Sequence, residues 1–228
     1  AALSIMRILH LPRSLTRALA LSMRAPRLRM LSSNTNSGGM LYVELAKTLQ
    51  QIENAAARLE KERLMKELLE GAFKHGTTEL TLCVALTTLQ MTPSSRPLKI
   101  GIGEAIMLDA LAEACGASVD ELKDELRQRG DLGEVAAARL ESGSSATTSD
   151  NGVLTLREAH AALLELNSTI GKGSKERKVA LMSDLLKRAR PIEATYMVRS
   201  IRGTLRTGLG DRSVRAAIAR AAASASAD

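Results

Sequence analysis

The chain has 228 residues, enough for one large domain or two small ones, and 45% of them are apolar. Aromatic residues number one Phe, two Tyr and no Trp, which argues against a large β-sandwich and against base-stacking surfaces of the RRM or OB type. The chain has only two cysteines, which excludes a disulfide scaffold and a cysteine-rich zinc site. Its formal net charge is +7, and this charge is distributed unevenly along the chain.

Residues 1–39 are predicted to form a leader before the folded part of the chain. Residues 1–40 contain six arginines, no lysine and no acid, and the first acidic residue is Glu44. This composition is typical of an amphipathic organelle transit peptide, and a disordered basic arm that touches nucleic acid is the alternative. Met40 could serve as a second start, so the expected location is the nucleus, the mitochondrion or another organelle, depending on the start site.

From Leu41 onward the periodicity is helical almost everywhere, which predicts an all-α, multi-helix fold. Ser118 and Glu121 form a capping-box pattern at the start of one helix, and Gly130–Gly133 is predicted to be a turn. No apolar run reaches the roughly 20 residues of a membrane span, so no membrane partner is expected. The first predicted helices run from 41 to about 71, 79 to 90, 104 to 115, and 118 to about 129. A short helix is predicted to follow the Gly130–Gly133 turn and to end at about 141.

A flexible linker is predicted at residues 142–152, which contain only Ser, Gly, Ala, Thr, Asp and Asn. It divides a domain at 40–223 into halves of about 40–141 and 153–223, followed by a tail at 224–228. Thr155 and Glu158 form a second capping box, and Ser174 is predicted to cap the next helix. The helices after the linker are expected from 155 to about 167, 174 to about 189, 191 to about 201, and 211 onward.

Motifs for nucleotide or metal chemistry are incomplete. The Gly101-Ile-Gly103 turn lacks the third glycine of a dinucleotide fingerprint, and no glycine turn has the Gly-Lys-Ser/Thr ending of a P-loop. The three histidines have no paired metal-ligand spacing. Cys83 and Cys115 lie on apolar helical faces and are predicted to be packing residues. We therefore predict no catalytic residue and no metal site.

Positive charge is concentrated in residues 171–220, which hold 13 Lys or Arg against four acids. Two turns in this segment, the first glycine turn (residues 171–175) and the second glycine turn (residues 203–210), each lead into a helix N-terminus. Backbone N–H groups and cations at such sites bind phosphate without reading bases; ordinary helix caps with solvated charges are the structural alternative. The side chains of Lys175 and Arg206 are expected to point to solvent, and if Gly208 has a positive φ, a β-branched side chain there would strain the turn. The predicted DNA-binding residues here are Gly171, Lys172, Gly173, Ser174, Lys175, Lys178, Gly203, Thr204, Arg206, Gly208, Gly210 and Arg212.

Five segments within residues 41–223 occur in a fixed order, and the ordered series is more specific to a family than any single segment. They are Leu41–Phe73, Leu98–Ala112, Gly130–Gly133, Gly171–Lys178 and Glu193–Leu209. This series resembles the N-terminal DNA-binding domain of ATP-dependent DNA ligases of the eukaryotic replicative and archaeal type, over nearly all of 41–223. The Gly-Ile-Gly-Glu turn on its own would equally fit a helix-hairpin-helix motif.

The resemblance implies an all-helical domain of two pseudo-symmetric halves that grips the minor groove of nicked double-stranded DNA. It implies that both glycine turns contact DNA, and it adds Arg58 on the first helices. The family's catalytic nucleotidyltransferase and OB domains would belong to the same polypeptide and would use ATP and Mg²⁺. Their Lys-x-Asp-Gly motif is absent from this chain, so no cofactor is expected for this portion.

The implied function is to hold nicked DNA for sealing in DNA replication, repair and recombination. Two alternatives remain from the sequence: a stand-alone, non-catalytic DNA-binding module, and an α-helical protein-interaction scaffold. The linker departs from the family pattern, because it lacks the apolar and proline residues often found there.

Overall fold

The computed structural model describes residues 39–91, 102–142 and 153–225. Within these ranges the chain forms ten helices and no strand, which confirms the all-α fold, and none of these helices is long and apolar enough to cross a membrane. The predicted leader, nearly all of the linker and the last three residues lie outside the described residues. The helices are α1 Tyr42–Asn54, α2 Arg58–Lys74, α3 Thr77–Thr88, α4 Glu104–Cys115, α5 Val119–Arg129, α6 Leu132–Ser142, α7 Leu156–Ser168, α8 Ser174–Arg188, α9 Pro191–Arg202 and α10 Asp211–Ala225.

The single long helix predicted for the first segment is wrong, because the chain breaks between α1 and α2. Ala55 and Ala57 have extended backbones, with ψ of 129° and 133°. Alanine favours helix, so local propensity does not cause the break. The two helices instead pack against each other, and Ile52 on α1 and Met65 on α2 both become fully buried. Tertiary packing therefore decides the position of this break.

Both predicted capping boxes are present. The Glu121 amide donates to Ser118 Oγ at 3.2 Å, and the Glu158 amide donates to Thr155 Oγ1 at 3.2 Å. The cap predicted at Ser174 is displaced by one residue: Gly173 is the N-cap of α8, and Ser174 is already helical. Gly173 has a φ of 72°, a left-handed conformation that glycine adopts at little cost.

Helices from before and after the linker pack against one another. α9 lies on α6 and α1, α10 on α2, α8 on α4, and α7 on α3. An isolated antiparallel bridge joins Leu41 to Thr155, where the Tyr42 amide donates to the Leu154 carbonyl at 2.8 Å. Buried apolar residues from all these helices form one continuous core. The position of each glycine turn is therefore set by helices that are distant in sequence.

Candidate nucleic-acid interface

The first glycine turn is closed by a side chain of the helix that follows it. Gly171 and Gly173 have φ of 85° and 72°, so the chain reverses sharply before α8. The Arg177 guanidinium donates to the carbonyls of Ile170 and Lys172, both at 3.0 Å. Arg177 thus uses its hydrogen-bonding capacity on the turn itself, and its role is to hold the local backbone in place.

The lysines of the first glycine turn differ in their surroundings. Lys172 is exposed and Lys178 is half-buried, and neither ammonium forms an ion pair with any of the described residues. Lys175 Nζ lies 2.9 Å from Asp109 Oδ2 on α4, and this hydrogen bond raises the pKa of Lys175. Lys175 is therefore not the unpaired cation expected from the sequence, although 59% of its side chain remains exposed.

The second glycine turn alternates between buried and exposed residues. Leu205 and Thr207 are buried, whereas Arg206 and Gly208 face outward. Both outward positions have a positive φ, 60° at Arg206 and 64° at Gly208, so the condition for strain by a side chain at Gly208 is met. Because a non-glycine residue adopts this conformation only at an energetic cost, surrounding contacts must hold Arg206 in place.

Lys61 on α2 supports the second glycine turn and was missed by the sequence analysis. Its Nζ donates to the Thr207 carbonyl at 2.7 Å. The same Nζ lies 3.1 Å from the point where a Cβ on Gly208 would stand. No sequence signal distinguishes this lysine from the other charged residues of α2, since its role arises from a contact between distant segments.

The first turn of α2 also meets the start of α10. Glu62 is buried, and it accepts hydrogen bonds from Ser213 Oγ at 3.1 Å and from Arg220 Nη1 at 2.8 Å. Burial raises the pKa of Glu62, but the Ser213 and Arg220 hydrogen bonds outweigh it, and the net pKa is lowered. Arg58 Nε lies 3.6 Å from the same carboxylate. The structure therefore brings Arg58 beside the helix that the second glycine turn begins.

Arg206 is held by the turn between α5 and α6. Its Nη2 donates to the Gly130 carbonyl at 3.0 Å, and its Nη1 lies 3.3 Å from Asp131 Oδ2. Asp131 is buried and also accepts from Arg199 Nε at 2.7 Å and from the Gly133 amide at 2.8 Å. The expectation that Arg206 extends to solvent is therefore only half right, because 49% of the side chain is exposed.

Arg199 is the buried centre of this network. Besides Asp131 it contacts Glu53 Oε2 at 2.5 Å, and its guanidinium lies 5.2 Å from the centre of the Tyr196 ring. Burial, and then the Glu53 carboxylate, raise the pKa of Tyr196. An arginine on the apolar stripe of α9 is the sequence signal that could have identified this network.

Gly133 permits the close packing of α6 against α9. A Cβ at this position would stand 2.7 Å from the Thr195 carbonyl, a distance that side chains do not tolerate. The Gly130–Gly133 motif therefore has a structural explanation: it forms the turn between α5 and α6, it contains the buried Asp131 carboxylate, and Gly133 allows the close contact with α9.

Each of the two glycine turns has a cation at or next to it that contacts α4. Lys175 contacts Asp109 on this helix, and Arg202, immediately before the second turn, lies 3.7 Å from Glu104 in its first turn. A groove of about 700 Å³ between them is lined by residues of α4 and α5 together with Lys175 and Arg202. The fold therefore places both turns along one surface, which the sequence alone could not show.

The remaining predicted contacts lie at the start of α10. The Gly210 carbonyl accepts from the amides of Ser213 and Val214, at 2.9 and 3.2 Å. Thr204 and Arg212 are exposed, and Arg212 has no ion pair with any residue in the described ranges. Arg212 is thus an available cation at a helix N-terminus.

A sequence model of the DNA ligase N terminus matches residues 41–219. The chain belongs to this family. The resemblance inferred from the five ordered segments, to the N-terminal domain of ATP-dependent DNA ligases, is therefore confirmed.

Curated proteins named as DNA ligases or a probable DNA ligase in three different organisms are similar to this chain. The chain is 32% identical over 182 residues to a DNA ligase of Methanothermobacter thermautotrophicus, covering 80% of this chain and 32% of that protein. It is 32% identical over 180 residues to DNA ligase 1 of Dictyostelium discoideum, covering 78% of this chain and 15% of that protein. It is 33% identical over 180 residues to a probable DNA ligase of Aquifex aeolicus, covering 78% of this chain and 30% of that protein. The chain thus spans a third or less of these relatives.

Within this ligase N terminus, the two cysteines differ in how deeply they are buried. Cys83 is buried, and burial raises the pKa of its thiol to about 12. The Cys115 thiol donates to the Leu111 carbonyl at 2.9 Å. Cys83 confirms the prediction of a buried packing residue, whereas Cys115 is only partly buried against the core. In the described ranges, no group of three or more His, Cys, Asp or Glu side chains is placed to hold a metal ion.

Proposed function

We propose that the chain is the DNA-binding portion of an ATP-dependent DNA ligase and grips nicked duplex DNA through its phosphates along the minor groove. The observation that carries the proposal is the placement of the two glycine turns on one surface, with Arg58 and Lys61 beside the second. The sealed nicks would serve DNA replication, repair and recombination.

The cations of this surface suit a phosphate backbone. Lys172 and Arg212 are exposed and lie at or near the N-termini of α8 and α10, where amide groups also favour anions. Lys175 and Arg206 are each held by a carboxylate while about half of the side chain remains exposed. Pairing with Asp131 restricts the conformations of Arg206 before DNA arrives, which reduces the entropy lost on binding, whereas Asp109 competes with phosphate for Lys175.

The chemistry of this surface predicts little base discrimination. Phosphate contacts fix the register of a protein on DNA but carry no sequence information. The single Phe and two Tyr of the chain supply no aromatic platform, since Tyr42 and Tyr196 are buried and Phe73 packs against the core. The proposed role is therefore affinity and positioning.

The sealing reaction itself is proposed for other domains of the same polypeptide, a nucleotidyltransferase domain and an OB domain. ATP and Mg²⁺ would act there, since the Lys-x-Asp-Gly motif that accepts AMP does not occur in this chain. Residues 171–175 and 203–210 would then hold the nicked duplex against those domains.

Binding of the full 228-residue chain to nicked duplexes of two unrelated sequences, measured by fluorescence anisotropy from low to moderate salt, tests the proposal. Four phosphate contacts, one each for Lys172, Lys175, Arg206 and Arg212, predict a slope of about −3.6 for log affinity against log salt, and equal affinity for both sequences. In a parallel arm, incubation with labelled ATP should leave no covalent AMP on the chain. An affinity that does not change with salt would contradict the proposal.

A further inference from the structure

Exposed serine and threonine side chains are few in the part of the chain that the structure describes. They are Thr78, Ser118, Ser142, Ser168 and Thr204. Ser118 caps α5, and the hydroxyls of Ser142 and Ser168 donate to carbonyls of their own helices. Thr78 lies within α3. Thr204 is the one exposed threonine outside the described helices, and its hydroxyl forms no hydrogen bond with any described residue.

The backbone at Thr204 is ordered by the end of α9. The Thr204 amide donates to the Arg199 carbonyl, and the Gly203 amide donates to the Ser200 carbonyl, both at 3.0 Å. Gly203 has a φ of 78°, so the chain turns away from the helix axis there, and the following Leu205 is buried. The hydroxyl is therefore presented to solvent at a fixed place in the second glycine turn.

Arginines lie two residues before and two residues after this threonine. Arg202 is 39% exposed, and its Nη1 lies 3.7 Å from Glu104 Oε2. Arg206 is 49% exposed, and its Nη1 lies 3.3 Å from Asp131 Oδ2. Both distances exceed the roughly 2.7–2.9 Å of a charge-assisted hydrogen bond, so both guanidiniums can turn toward a stronger anion.

The segment Arg202-Gly203-Thr204-Leu205-Arg206 has the features of a kinase substrate. A basic-directed protein kinase, meaning one with an acidic substrate cleft, binds cations on both sides of the acceptor hydroxyl, because complementary charges fix the register of the complex. Such a cleft takes up an irregular segment more readily than a helix. Among the five exposed hydroxyl side chains, Thr204 combines an irregular backbone with flanking arginines.

We propose that Thr204 is a phosphorylation site for a basic-directed protein kinase, and that phosphate at this position weakens DNA binding by the second glycine turn. In this step Thr204 Oγ1 forms a bond to the γ-phosphorus of ATP, the bond from that phosphorus to the β,γ-bridging oxygen breaks, and ADP leaves. The hydroxyl proton passes to the kinase's general base. The effect on DNA rests on the proposed function, whereas the modification itself does not.

Phosphate at Thr204 acts on the cations beside it. It adds a charge of about −1.5 to −2 at pH 7, and its oxygens are strong acceptors for guanidinium groups. Arg206 is then paired with a phosphate of its own chain and is lost to DNA. The new negative charge also repels the DNA backbone, so affinity and salt slope fall together.

The modification is tested by incubating the full chain with ATP and the catalytic fragment of protein kinase C, a basic-directed kinase, and locating phosphate by tandem mass spectrometry. We expect phosphate at Thr204, and none at this position in Thr204→Val. Arg202→Ala should slow its incorporation. Ser168→Ala is the matched control: Ser168 is exposed but has no arginine within two residues, so this variant should accept phosphate at Thr204 like wild type.

The effect on DNA is measured by anisotropy of a nicked duplex before and after kinase treatment. Treated wild type should bind about tenfold more weakly at about 0.1 M salt, with a slope lower by about one unit. Treatment should not change binding by Thr204→Val, and this variant should melt like wild type because it removes only an exposed hydroxyl.

Absence of phosphate at Thr204 in the folded chain would overturn the inference and leave the proposed function standing. Phosphate at Thr204 with unchanged affinity and slope would overturn the effect on DNA. A lower melting temperature of the treated chain, together with weaker binding, would also overturn it, since unfolding would then be the cause. If untreated wild type binds no DNA, the proposed function fails, while mass spectrometry still decides whether Thr204 is modified.

Discussion

The two glycine turns present similar residues to solvent, yet they are held in place differently. The first turn is closed by Arg177, whose hydrogen bonds reach back only five and seven residues. The second is held by Lys61 and Gly130, which lie 146 and 76 residues from their partners in the turn. The first is a local structure on the surface, whereas the second is part of the tertiary core.

This difference separates binding from stability. Truncation of the Lys172 side chain in the first glycine turn should alter DNA affinity and leave unfolding unaffected. A change in the second should alter both, because the same side chains that would face DNA also join α2 and the turn between α5 and α6 to α9 and α10. The four changes below test this division.

The largest effect is expected for Asp131→Ala. Removing this carboxylate leaves Arg199 buried with Glu53 as its main remaining partner, and it also releases Arg206 in the second turn. We expect the free energy of unfolding to fall by about 3 kcal/mol, measured by urea denaturation. Asp120→Ala is the matched control: Asp120 is 90% exposed and pairs with Lys123, so its loss should cost less than about 0.5 kcal/mol. Equal losses in the two variants would contradict a structural role for Asp131.

Gly208→Ser should have the next largest effect. The positive φ at this position would strain any side chain, and the new Cβ would stand 3.1 Å from Lys61 Nζ. We expect a loss of about 1–2 kcal/mol in the free energy of unfolding, together with weaker DNA binding. Gly210→Ser serves as the control, because its surroundings are open and serine is a good N-cap. If the two variants unfold alike, backbone strain does not determine the second turn.

The substitutions Arg206→Ala in the second turn and Lys172→Ala in the first turn allow a direct comparison of the two turns. Both changes remove one cation and should lower the salt slope of DNA binding by about one unit. Only Arg206→Ala also removes the contacts to Gly130 and Asp131, so it alone should reduce the free energy of unfolding, by about 1 kcal/mol. Anisotropy and urea denaturation on the same preparations give both quantities. A stability loss in Lys172→Ala would remove the distinction between the turns.

The smallest effect, and one of opposite sign, is expected for Asp109→Asn. The Asp109 carboxylate competes with phosphate for Lys175, so neutralising it should strengthen DNA binding at low salt about twofold, less than the 1.4 kcal/mol of a full tenfold change. Stability should not change, because both partners are exposed enough for the pair to contribute little. Glu113→Gln on the same helix removes an equal charge, and its partner Lys187 belongs to neither turn. Unaltered binding in Asp109→Asn relative to Glu113→Gln would show that Lys175 does not contact phosphate.

The sequence predicted those features whose causes are local. Both capping boxes and the start of α9 at Pro191 each depend on a few adjacent residues, and each is confirmed. The all-α fold followed from periodicity in the same way. Whether the predicted site residues bind DNA stays a prediction.

Features that depend on distant contacts were not predictable. The break between α1 and α2 comes from packing, and the alanines around it give no local signal. Lys61, Asp131 and the partners of Lys175 acquire their roles only when helices from both sides of the linker meet. For the same reason the sequence placed Lys175 and Arg206 in solvent, while the fold supplies each with a carboxylate.

The interleaving of early and late helices has a consequence for how the chain emerges from the ribosome. α1 packs on α9, and α2 packs on α10, the last described helix. At about 5–20 residues per second, the roughly 150 residues from α1 to α9 take about 7–30 s to synthesise. During that interval the parts of α1 and α2 that pack on α9 and α10 remain uncovered, so the nascent chain exposes apolar surface for longer than a domain whose neighbouring helices pack in order.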